Sequence, residues 1–361
     1  MFSRGIVVIS ITKRGIETAL KIKNALSNIK LQSEVYAPKK YMQNDLIPLE
    51  QKLDEFIKET CTSVDAIVAV MATGIIIRAV APYLQGKLVD PAVISVDASG
   101  KFVISLLSGH YGGANELTRL IAEGIGATAV ITTASDSLGK QSVDELARIM
   151  HLSIVNPESL VSVNTVLVNG ERLALILVGH QKIPTNAVYG YVVEKAENLA
   201  QAIEITSRYD AAAIITKELL TDEKPVKPIT ILKPKRIVMG IGARKEITKD
   251  QILEAVRSAL VRTNLPLEHI GGLATVDLKK NSRGMLDAAR KLGLKFEFVS
   301  VEELRAFKHE DLSSDSEMVQ NKIGVGGVCE RAALMKAGKN PNLILKKQKL
   351  NGVTVAIAEG E

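Results

Sequence analysis

The stretch that decides the fold class is residues 71–136, which read MATGIIIRAVAPYLQGKLVDPAVISVDASGKFVISLLSGHYGGANELTRLIAEGIGATAVITTASD. Short aliphatic runs at Ala66–Val70 and Phe102–Leu107 have the length and composition of buried strands. Each run is followed by a loop rich in glycine and small polar residues, and then by a segment with apolar residues at helical spacing. Buried strands that alternate with amphipathic helices predict an α/β fold with a mostly parallel, doubly wound sheet.

The same alternation continues on both sides of this stretch and predicts a multidomain chain. We expect an amino-terminal α/β domain that contains the loop SGHYGGAN, a small α/β middle domain, a linker and a separate carboxy-terminal α/β domain. Their predicted bounds are residues 1–150, 151–222, 223–235 and 236–361.

Two local sequence patterns predict structural details of the middle region. Asn169-Gly170 separates two apolar runs, and because both residues tolerate positive φ, the pair predicts a β-hairpin. Pro225, Pro228 and Pro234 stand among lysines and acidic residues, which is the composition of a linker.

Composition narrows the classes of function. The hydrophobic fraction of 46% and the charged fraction of 24% are ordinary for a soluble globular protein. The net charge of +6 suits a polyanionic ligand, but aromatic residues make up 4% and tryptophan is absent, which disfavours nucleic acid. No apolar run has the length of a membrane span, and Cys61 and Cys329 have no metal or redox spacing. We therefore expect a cytoplasmic protein that does not bind membranes; whether it forms a homodimer stays open.

Two loops carry the candidate chemistry, Ala72-Thr73-Gly74 and the segment Ser108–Asn115. Each lies between a predicted strand and a predicted helix, where backbone N–H groups are available to an anion. His110 is the histidine of the second loop, and its ordinary pKa lies near neutrality, which predicts a general acid–base; the alternative is an imidazole that bonds its own loop. Asp136 ends ITTASD and could orient this histidine or a water, or instead cap the next helix.

Nucleotide and metal cofactors are disfavoured. Gly240-Ile241-Gly242 follows a predicted strand, as in a dinucleotide site, but Lys245 stands at the third glycine position. The chain has no phosphate-binding GxxxxGK[ST] loop and no cysteine–histidine cluster with zinc spacing. A nucleotide-dependent oxidoreductase is thus a weak hypothesis.

Several separate motifs resemble, in order and spacing, the CbiG family, the cobalt-precorrin-5A hydrolases of anaerobic cobalamin (vitamin B12) biosynthesis. In the first half they are TGIIIRAVAP, KLVDPAV, SLLSGHYGGAN and ITTASD, and in the second half GIGAR, LATVDLKK, GMLDAARKLGL and VGGVCERAAL. Two positions depart from the family pattern, because Ala243 replaces a usual cysteine and Ser282 a usual glutamate. Neither residue can then be a thiol nucleophile or a carboxylate base.

The resemblance implies a hydrolase that acts on a carbon–carbon bond of a tetrapyrrole-derived macrocycle. The δ-lactone of cobalt-precorrin-5A would be opened and acetaldehyde released, leaving cobalt-precorrin-5B. Cobalt would arrive within the corrinoid substrate, so we expect no resident cofactor and no enzyme-bound metal. The alternative is a non-catalytic protein that binds or transfers corrinoid intermediates.

The reaction needs acid–base groups, oxyanion donors and cations for the acetate and propionate arms of the substrate. For each cation the alternative is a solvated surface role. The catalytic candidates are His110, Asp136 and Glu330. The substrate-binding candidates are Thr73, Gly74, Arg78, Lys87, Ser108, Gly109, Gly112, Gly113, Asn115, Arg244, Asp277 and Lys279.

Overall fold

The computed structural model describes residues 2–179, 189–218, 227–244, 246–263, 265–313 and 326–361. The chain forms two compact units, Phe2–Pro234 and Lys235–Glu361, and each is described by itself. Two mostly parallel sheets in the first unit and one mixed sheet in the second confirm the multidomain α/β fold.

The first sheet has seven strands. They are β1 (Ile6–Ser10), β2 (Ser33–Pro38), β3 (Ile47–Leu49), β4 (Ala66–Val70), β5 (Ala92–Val96), β6 (Phe102–Leu107) and β7 (Thr128–Val130). The helices of this region are α1 (Lys13–Asn28), α2 (Leu53–Ser63), α3 (Thr73–Val80), α4 (Ala114–Ile125), α5 (Ala134–Ser137) and α6 (Val143–Ile149). The order is β3-β2-β1-β4-β5-β6-β7, and β6 runs antiparallel to β5 while the other neighbours pair in parallel.

Strand β4 shows why the sheet is doubly wound. All five of its residues are buried. Val68 packs with α1 and α4 on one face, whereas Ile67 and Ala69 pack with α2 and α3 on the other. A strand covered on both faces needs a continuous apolar run, which is the pattern that predicted this sheet.

The second sheet has the order β10-β9-β11-β12-β8. Its elements are β8 (Leu152–Ile154), α7 (Leu160–Asn169), β9 (Leu173–Val178), β10 (Val192–Ala196), α8 (Leu199–Thr206), β11 (Ala211–Ile215) and β12 (Ile229–Pro234). The short edge strand β8 is antiparallel to β12, and the other pairs are parallel.

The predicted hairpin at Asn169-Gly170 is wrong. Asn169 ends helix α7, and Gly170 adopts φ 79° as the residue that closes the helix. Its N–H donates to the Leu167 carbonyl, and the chain then continues into β9, which pairs in parallel with its neighbours. The positive φ inferred from the sequence is present, but it terminates a helix instead of turning a hairpin.

The predicted linker over residues 223–235 is also wrong where the structure describes it. Residues 229–234 form β12, whose first four residues are buried and which pairs with both β11 and β8. Pro234 ends this strand, a position at which the missing N–H costs little. Residues 223–226 lie outside the described residues.

The carboxy-terminal unit contains the third sheet, ordered β15-β14-β13-β17-β16. Its elements are β13 (Arg236–Ala243), α9 (Lys249–Thr263), β14 (Ile270–Val276), α10 (Arg283–Leu292), β15 (Phe296–Val299), α11 (Val301–Ala306), α12 (Val328–Ala337), β16 (Asn342–Leu350) and β17 (Val353–Gly360). Strands β13, β14 and β15 are parallel, while β17 is antiparallel to β13 and to β16. Short 3₁₀ turns occur at Lys39–Tyr41, Ala81–Tyr83, Pro157–Ser159, Leu267–His269 and Asp277–Lys279.

The Gly240-x-Gly242 pattern has a packing role in this sheet. A Cβ on Gly240 would lie 1.8 Å from the Cys329 carbonyl oxygen at the start of α12. A Cβ on Gly242 would lie 2.4 Å from the Thr354 hydroxyl of β17. The two glycines let a helix and a neighbouring strand approach β13 closely, which explains the motif without a dinucleotide.

Within the described ranges, no helix combines the length and the apolar character that crossing a bilayer requires.

Candidate functional site

The loop SGHYGGAN connects β6 to α4 as a tight, self-bonded turn. Ser108 (φ 55°) and Gly113 (φ 80°) are in the left-handed region. The N–H groups of Gly113, Ala114 and Asn115 donate to the carbonyls of His110, Ser108 and Gly109 at 3.1, 3.1 and 3.0 Å. These bonds fix the backbone from which the His110 side chain projects.

Two further glycines are required by packing inside this turn. A Cβ on Gly109 would lie 2.8 Å from the side-chain oxygen of Asn115, and one on Gly112 would lie 2.5 Å from Cβ of Ser108. The Ser108 hydroxyl donates to the Asp90 carbonyl at 2.9 Å and ties the turn to the segment before β5. The loop is therefore a rigid support for His110.

The His110 ring lies between two carboxylates. Its Nε2 is 2.9 Å from Oδ2 of Asp136 and 3.0 Å from the Ser135 hydroxyl, and its Nδ1 is 3.5 Å from Oδ2 of Asp144. The His110 side chain is 16% exposed, while Asp136 and Asp144 are 9% and 4% exposed. A small part of the ring thus reaches solvent from a largely buried ionic cluster.

The two carboxylates keep the His110 ring protonated, and therefore positively charged, at neutral pH. Burial by itself lowers the pKa of His110, but its interactions with Asp136 and Asp144 outweigh burial and raise the pKa to about 9. Burial acts to raise the pKa of Asp144, but the His110 ring and the charge of Lys87 lower it to about 2. The pKa of Asp136 also lies well below its ordinary value, because its hydrogen bonds to His110, Thr133 and Arg119 outweigh burial. At neutral pH the site therefore holds an imidazolium between two carboxylates.

Asp136 is held by its own set of donors. Its Oδ2 accepts from the Thr133 hydroxyl at 2.7 Å and from Nδ2 of Asn115 at 2.8 Å, and Arg119 pairs with Oδ1. The residue that caps α5 is Thr133. The alternative role of Asp136 as a helix cap is therefore wrong, and its carboxylate faces the His110 loop instead.

Asp144 is the member of the cluster that the sequence did not indicate. It lies in the first turn of α6, where its Oδ1 accepts from Nδ2 of Asn164 at 2.8 Å. An acidic residue in a first helical turn is ordinary, since it complements the helix dipole. The local sequence therefore gives no reason to choose Asp144 over its neighbour Glu145. The pKa of Glu145 is raised, mainly by burial.

Several residues that were predicted to donate hydrogen bonds to the substrate donate them within the protein instead. The N–H of Gly113 donates to His110 inside the turn, and the amide of Asn115 donates to Thr133 and Asp136. These two residues support the loop, which corrects their predicted role as substrate donors. The N–H groups of Gly109 and Gly112 are the remaining candidates.

Helix α3 and the segment before β5 contain four further predicted residues. The Thr73 hydroxyl is 3.1 Å from the Ser95 hydroxyl, and Nη1 of Arg78 donates to the Gly74 carbonyl at 3.0 Å. Arg78 thus folds back onto the start of its own helix. Lys87 is exposed, and its charge acts on Asp144, which places it beside the His110 cluster.

In the carboxy-terminal unit, Arg244 and Asp277 follow β13 and β14, neighbouring parallel strands whose carboxyl ends share one edge of the sheet. Nζ of Lys279 donates to the Arg244 carbonyl at 3.1 Å. The three residues are therefore brought together at one edge.

Glu330 is not an accessible acid–base group. It is 0% exposed, and its carboxylate accepts from the Ser313 hydroxyl at 2.6 Å, from the Ser313 N–H at 3.2 Å and from the Lys347 N–H at 2.8 Å. A buried carboxylate whose oxygens are bonded in this way joins a loop and a strand to α12. The predicted catalytic role of Glu330 is wrong for this reason.

Across the part of the chain that the structure describes, no three histidine, cysteine, aspartate or glutamate side chains converge as a metal site would require. The expectation that the protein has no resident metal stays a prediction.

Comparison with known proteins links both units to one pathway. The family model described as cobalamin synthesis G N-terminal matches residues 55–136, and that described as cobalamin synthesis G C-terminus matches residues 237–358. The first match contains His110 and Asp136, and the second contains Arg244, Asp277 and Lys279. Asp144 and Asn164 lie outside both.

Full-length relatives extend this result. The cobalt-precorrin-5A hydrolase of Priestia megaterium is 30% identical over 367 residues, which cover 97% of this chain and 94% of the relative. The cobalt-precorrin-5A hydrolase of Salmonella typhimurium is 31% identical over 326 residues, covering 89% and 90%. The crystal structure of a cobalamin biosynthesis protein G homolog from Sulfolobus solfataricus matches with a TM-score of 0.61 and 26% identity, covering 100% of this chain and 98% of that one.

Proposed function

The chain belongs to the cobalamin synthesis G family, and we propose on that premise that it is a cobalt-precorrin-5A hydrolase. Relatives with this name match nearly its whole length, so the proposal does not depend on one shared domain. The observation in the site that carries it is the charged His110 ring, held between Asp136 and Asp144 on a rigid loop. The remaining steps concern how this ring would serve the reaction.

The proposed reaction has two stages. Water adds to the δ-lactone carbonyl of the corrinoid, and the ring opens to give a carboxylate and a free alcohol. The alcohol then loses its proton while the adjacent carbon–carbon bond breaks, which releases acetaldehyde, and the electron pair of that bond remains on the macrocycle. The product is cobalt-precorrin-5B, and the cobalt enters and leaves as part of the substrate.

His110 can serve both stages in a fixed order. With a pKa of about 9 the ring is protonated at neutral pH, so it first donates a proton to the alkoxide that leaves when the lactone opens. The ring is then neutral, and it accepts the proton of the same hydroxyl as the carbon–carbon bond breaks. Asp136 and Ser135 contact Nε2 and Asp144 lies 3.5 Å from Nδ1, so the two carboxylates keep the ring oriented while it exchanges a proton with the substrate.

The attacking water also needs a proton acceptor. Burial raises the pKa of Glu145, and the charges of His110 and Asp136 act on this carboxylate, which directly follows Asp144 in the chain. A carboxylate with a raised pKa accepts a proton better than Asp136 or Asp144, whose pKa values are lowered. We therefore propose Glu145 as the base for water.

The substrate is a polyanion because it carries several acetate and propionate arms. Lys87 is exposed beside the His110 cluster, and Arg244 and Lys279 meet at one edge of the third sheet. We propose that these cations bind carboxylate arms. The proposal needs no resident cofactor.

A non-catalytic corrinoid-binding or transfer role is the second candidate. Ala243 and Ser282 favour it, since each replaces a polar side chain that the family usually has. Both candidates predict corrinoid binding, and product formation separates them.

The deciding experiment is anaerobic incubation of the protein with cobalt-precorrin-5A, with acetaldehyde and the corrinoid product measured by mass spectrometry. We expect turnover by the wild type and a loss of about 10²–10⁴ in rate for His110→Ala, the usual effect of removing a general acid–base. His269→Gln in the carboxy-terminal unit is the matched control and should turn over normally. Tight binding without acetaldehyde would support the transfer role, and normal turnover by folded His110→Ala would remove His110 from the mechanism.

A further inference from the structure

We infer that Asp144, held by Asn164, is a positioning residue that fixes the His110 ring through its Nδ1 edge. Its side chain is 4% exposed and its Oδ2 lies 3.5 Å from Nδ1. The consequence for catalysis rests on the proposed function, but the contact itself does not. Neither matched family segment reaches Asp144 or Asn164.

The Asp144 carboxylate is oriented by a chain of hydrogen bonds that begins at the backbone. The Val143 N–H donates to Oδ1 of Asn164 at 2.9 Å, which fixes the acceptor side of that amide. The donor side of the Asn164 amide must then face Asp144, and its Nδ2 donates to Oδ1 at 2.8 Å. Oδ2 of Asp144 is thereby left pointing at the ring.

Local structure does not require this carboxylate. Helix α6 is already capped, because the Ser142 hydroxyl accepts from the Glu145 N–H. Burying a charge is costly unless it has a partner, and the partners of Asp144 are the Asn164 amide and the His110 ring. The arrangement is therefore explained by His110 and not by the helix.

The two carboxylates beside His110 differ in how much of their charge is shared. Asp136 also accepts from Thr133, Asn115 and Arg119. Asp144 has one amide donor besides the ring. Asp136 and Asp144 act on the ring directly, and the charge of Lys87 acts on Asp144. The charges of His110, Asp136, Arg119 and Arg148 act on Glu145, and Arg148 also pairs with Glu116 at 2.9 Å.

The contact joins the two sheets of the Phe2–Pro234 unit. His110 and Asp136 follow strands β6 and β7 of the first sheet. Helices α6 and α7, which carry Asp144 and Asn164, bury Val143 and Val163 in the core of the second sheet. The middle region therefore contributes directly to the His110 site.

The test is a direct titration of His110 in the full-length protein. Long-range ¹H–¹⁵N NMR follows the imidazole nitrogens, and the signals lost in His110→Gln assign the ring. We expect Asp144→Asn to lower the His110 pKa by about one unit or more, since an opposing charge within about 4–6 Å contributes shifts of that size. Asp287→Asn, at an exposed position of α10, is the matched control and should leave it unchanged.

Kinetics supplies the second readout. The limb of the kcat–pH profile that reports His110 should move in Asp144→Asn by the same amount as the NMR titration, with KM nearly unchanged. Asn164→Leu keeps the Asp144 charge but removes its support, and it should lower kcat at least about tenfold with a smaller pKa change.

An unchanged His110 titration in folded Asp144→Asn overturns the inference; if that variant does not fold, wild-type kcat in Asn164→Leu overturns it. A wild type that releases no acetaldehyde would refute the proposed function while the NMR titration still decides the role of Asp144.

Discussion

The charge on His110 should be measurable as a pH-dependent part of the stability of the Phe2–Pro234 unit. Its pKa is about 9 in the folded protein, against an ordinary value of 6.5 that we take for the unfolded chain. Because the folded pKa is the higher one, the stabilisation is fully present below pH 6.5 and is lost as the pH rises through about 9. Each unit between the two values corresponds to about 1.36 kcal/mol, so the ring contributes about 3 kcal/mol.

The perturbation that isolates this contribution is His110→Gln, which removes the titration and keeps a polar side chain of similar reach. Urea unfolding of both proteins from pH 6 to 10, followed by circular dichroism, gives the difference in unfolding free energy at each pH. We expect that difference to fall by about 3 kcal/mol across this range. A difference that stays constant between pH 6 and 10 would refute the assignment of a charged ring.

Two other predictions concern packing and charge. Gly240→Ala should destabilise the carboxy-terminal unit by about 1–3 kcal/mol or more, because the added Cβ meets the Cys329 carbonyl at 1.8 Å. Gly271→Ala should cost less, because its Cβ would lie 3.4 Å from the nearest atom, the Ile237 carbonyl oxygen, and equal losses in urea unfolding would contradict the packing role. Raising the ionic strength should lower kcat/KM and leave kcat nearly constant, since charges screen over about 10 Å at roughly 0.1 M salt. Lys87→Gln should weaken this salt dependence and Lys291→Gln should not; a wild-type kcat/KM that ignores salt would show that the positive charge serves another purpose.

The fold was largely predictable because its strands are buried on both faces. A run such as Ala66–Val70 has one interpretation when helices flank it, and the structure buries all five residues. The hairpin error arose where two signals competed. Asn169-Gly170 indicates positive φ in a hairpin and in a helix end alike, but Leu160, Val163 and Leu167 are buried at helical spacing. That spacing is present in the sequence, and it favours a helix end over a hairpin.

The linker error has a different cause. Proline and charge predict a linker, whereas Pro228 and Pro234 flank and end a buried strand. The error at Glu330 concerns burial, which a local sequence pattern does not show. Its residue type allows an acid–base role, but its burial depends on Ser313 and Lys347, which are distant in sequence and close in the fold.

The site shows most clearly what a sequence pattern cannot contain. A glycine-rich loop is local, so His110 could be identified from its neighbours, and an aspartate at a strand end could be paired with it. Its charge is only partly local, because it depends on Asp144, from a helix that packs on another sheet, as well as on Asp136. An ordinary pKa would let the ring begin either as an acid or as a base. A pKa of about 9 allows one order, in which the ring first gives up a proton and then recovers one. In the reaction proposed above, lactone opening followed by carbon–carbon cleavage demands that same order, so the carboxylates that keep the ring charged would also set the order in which one histidine serves the two stages.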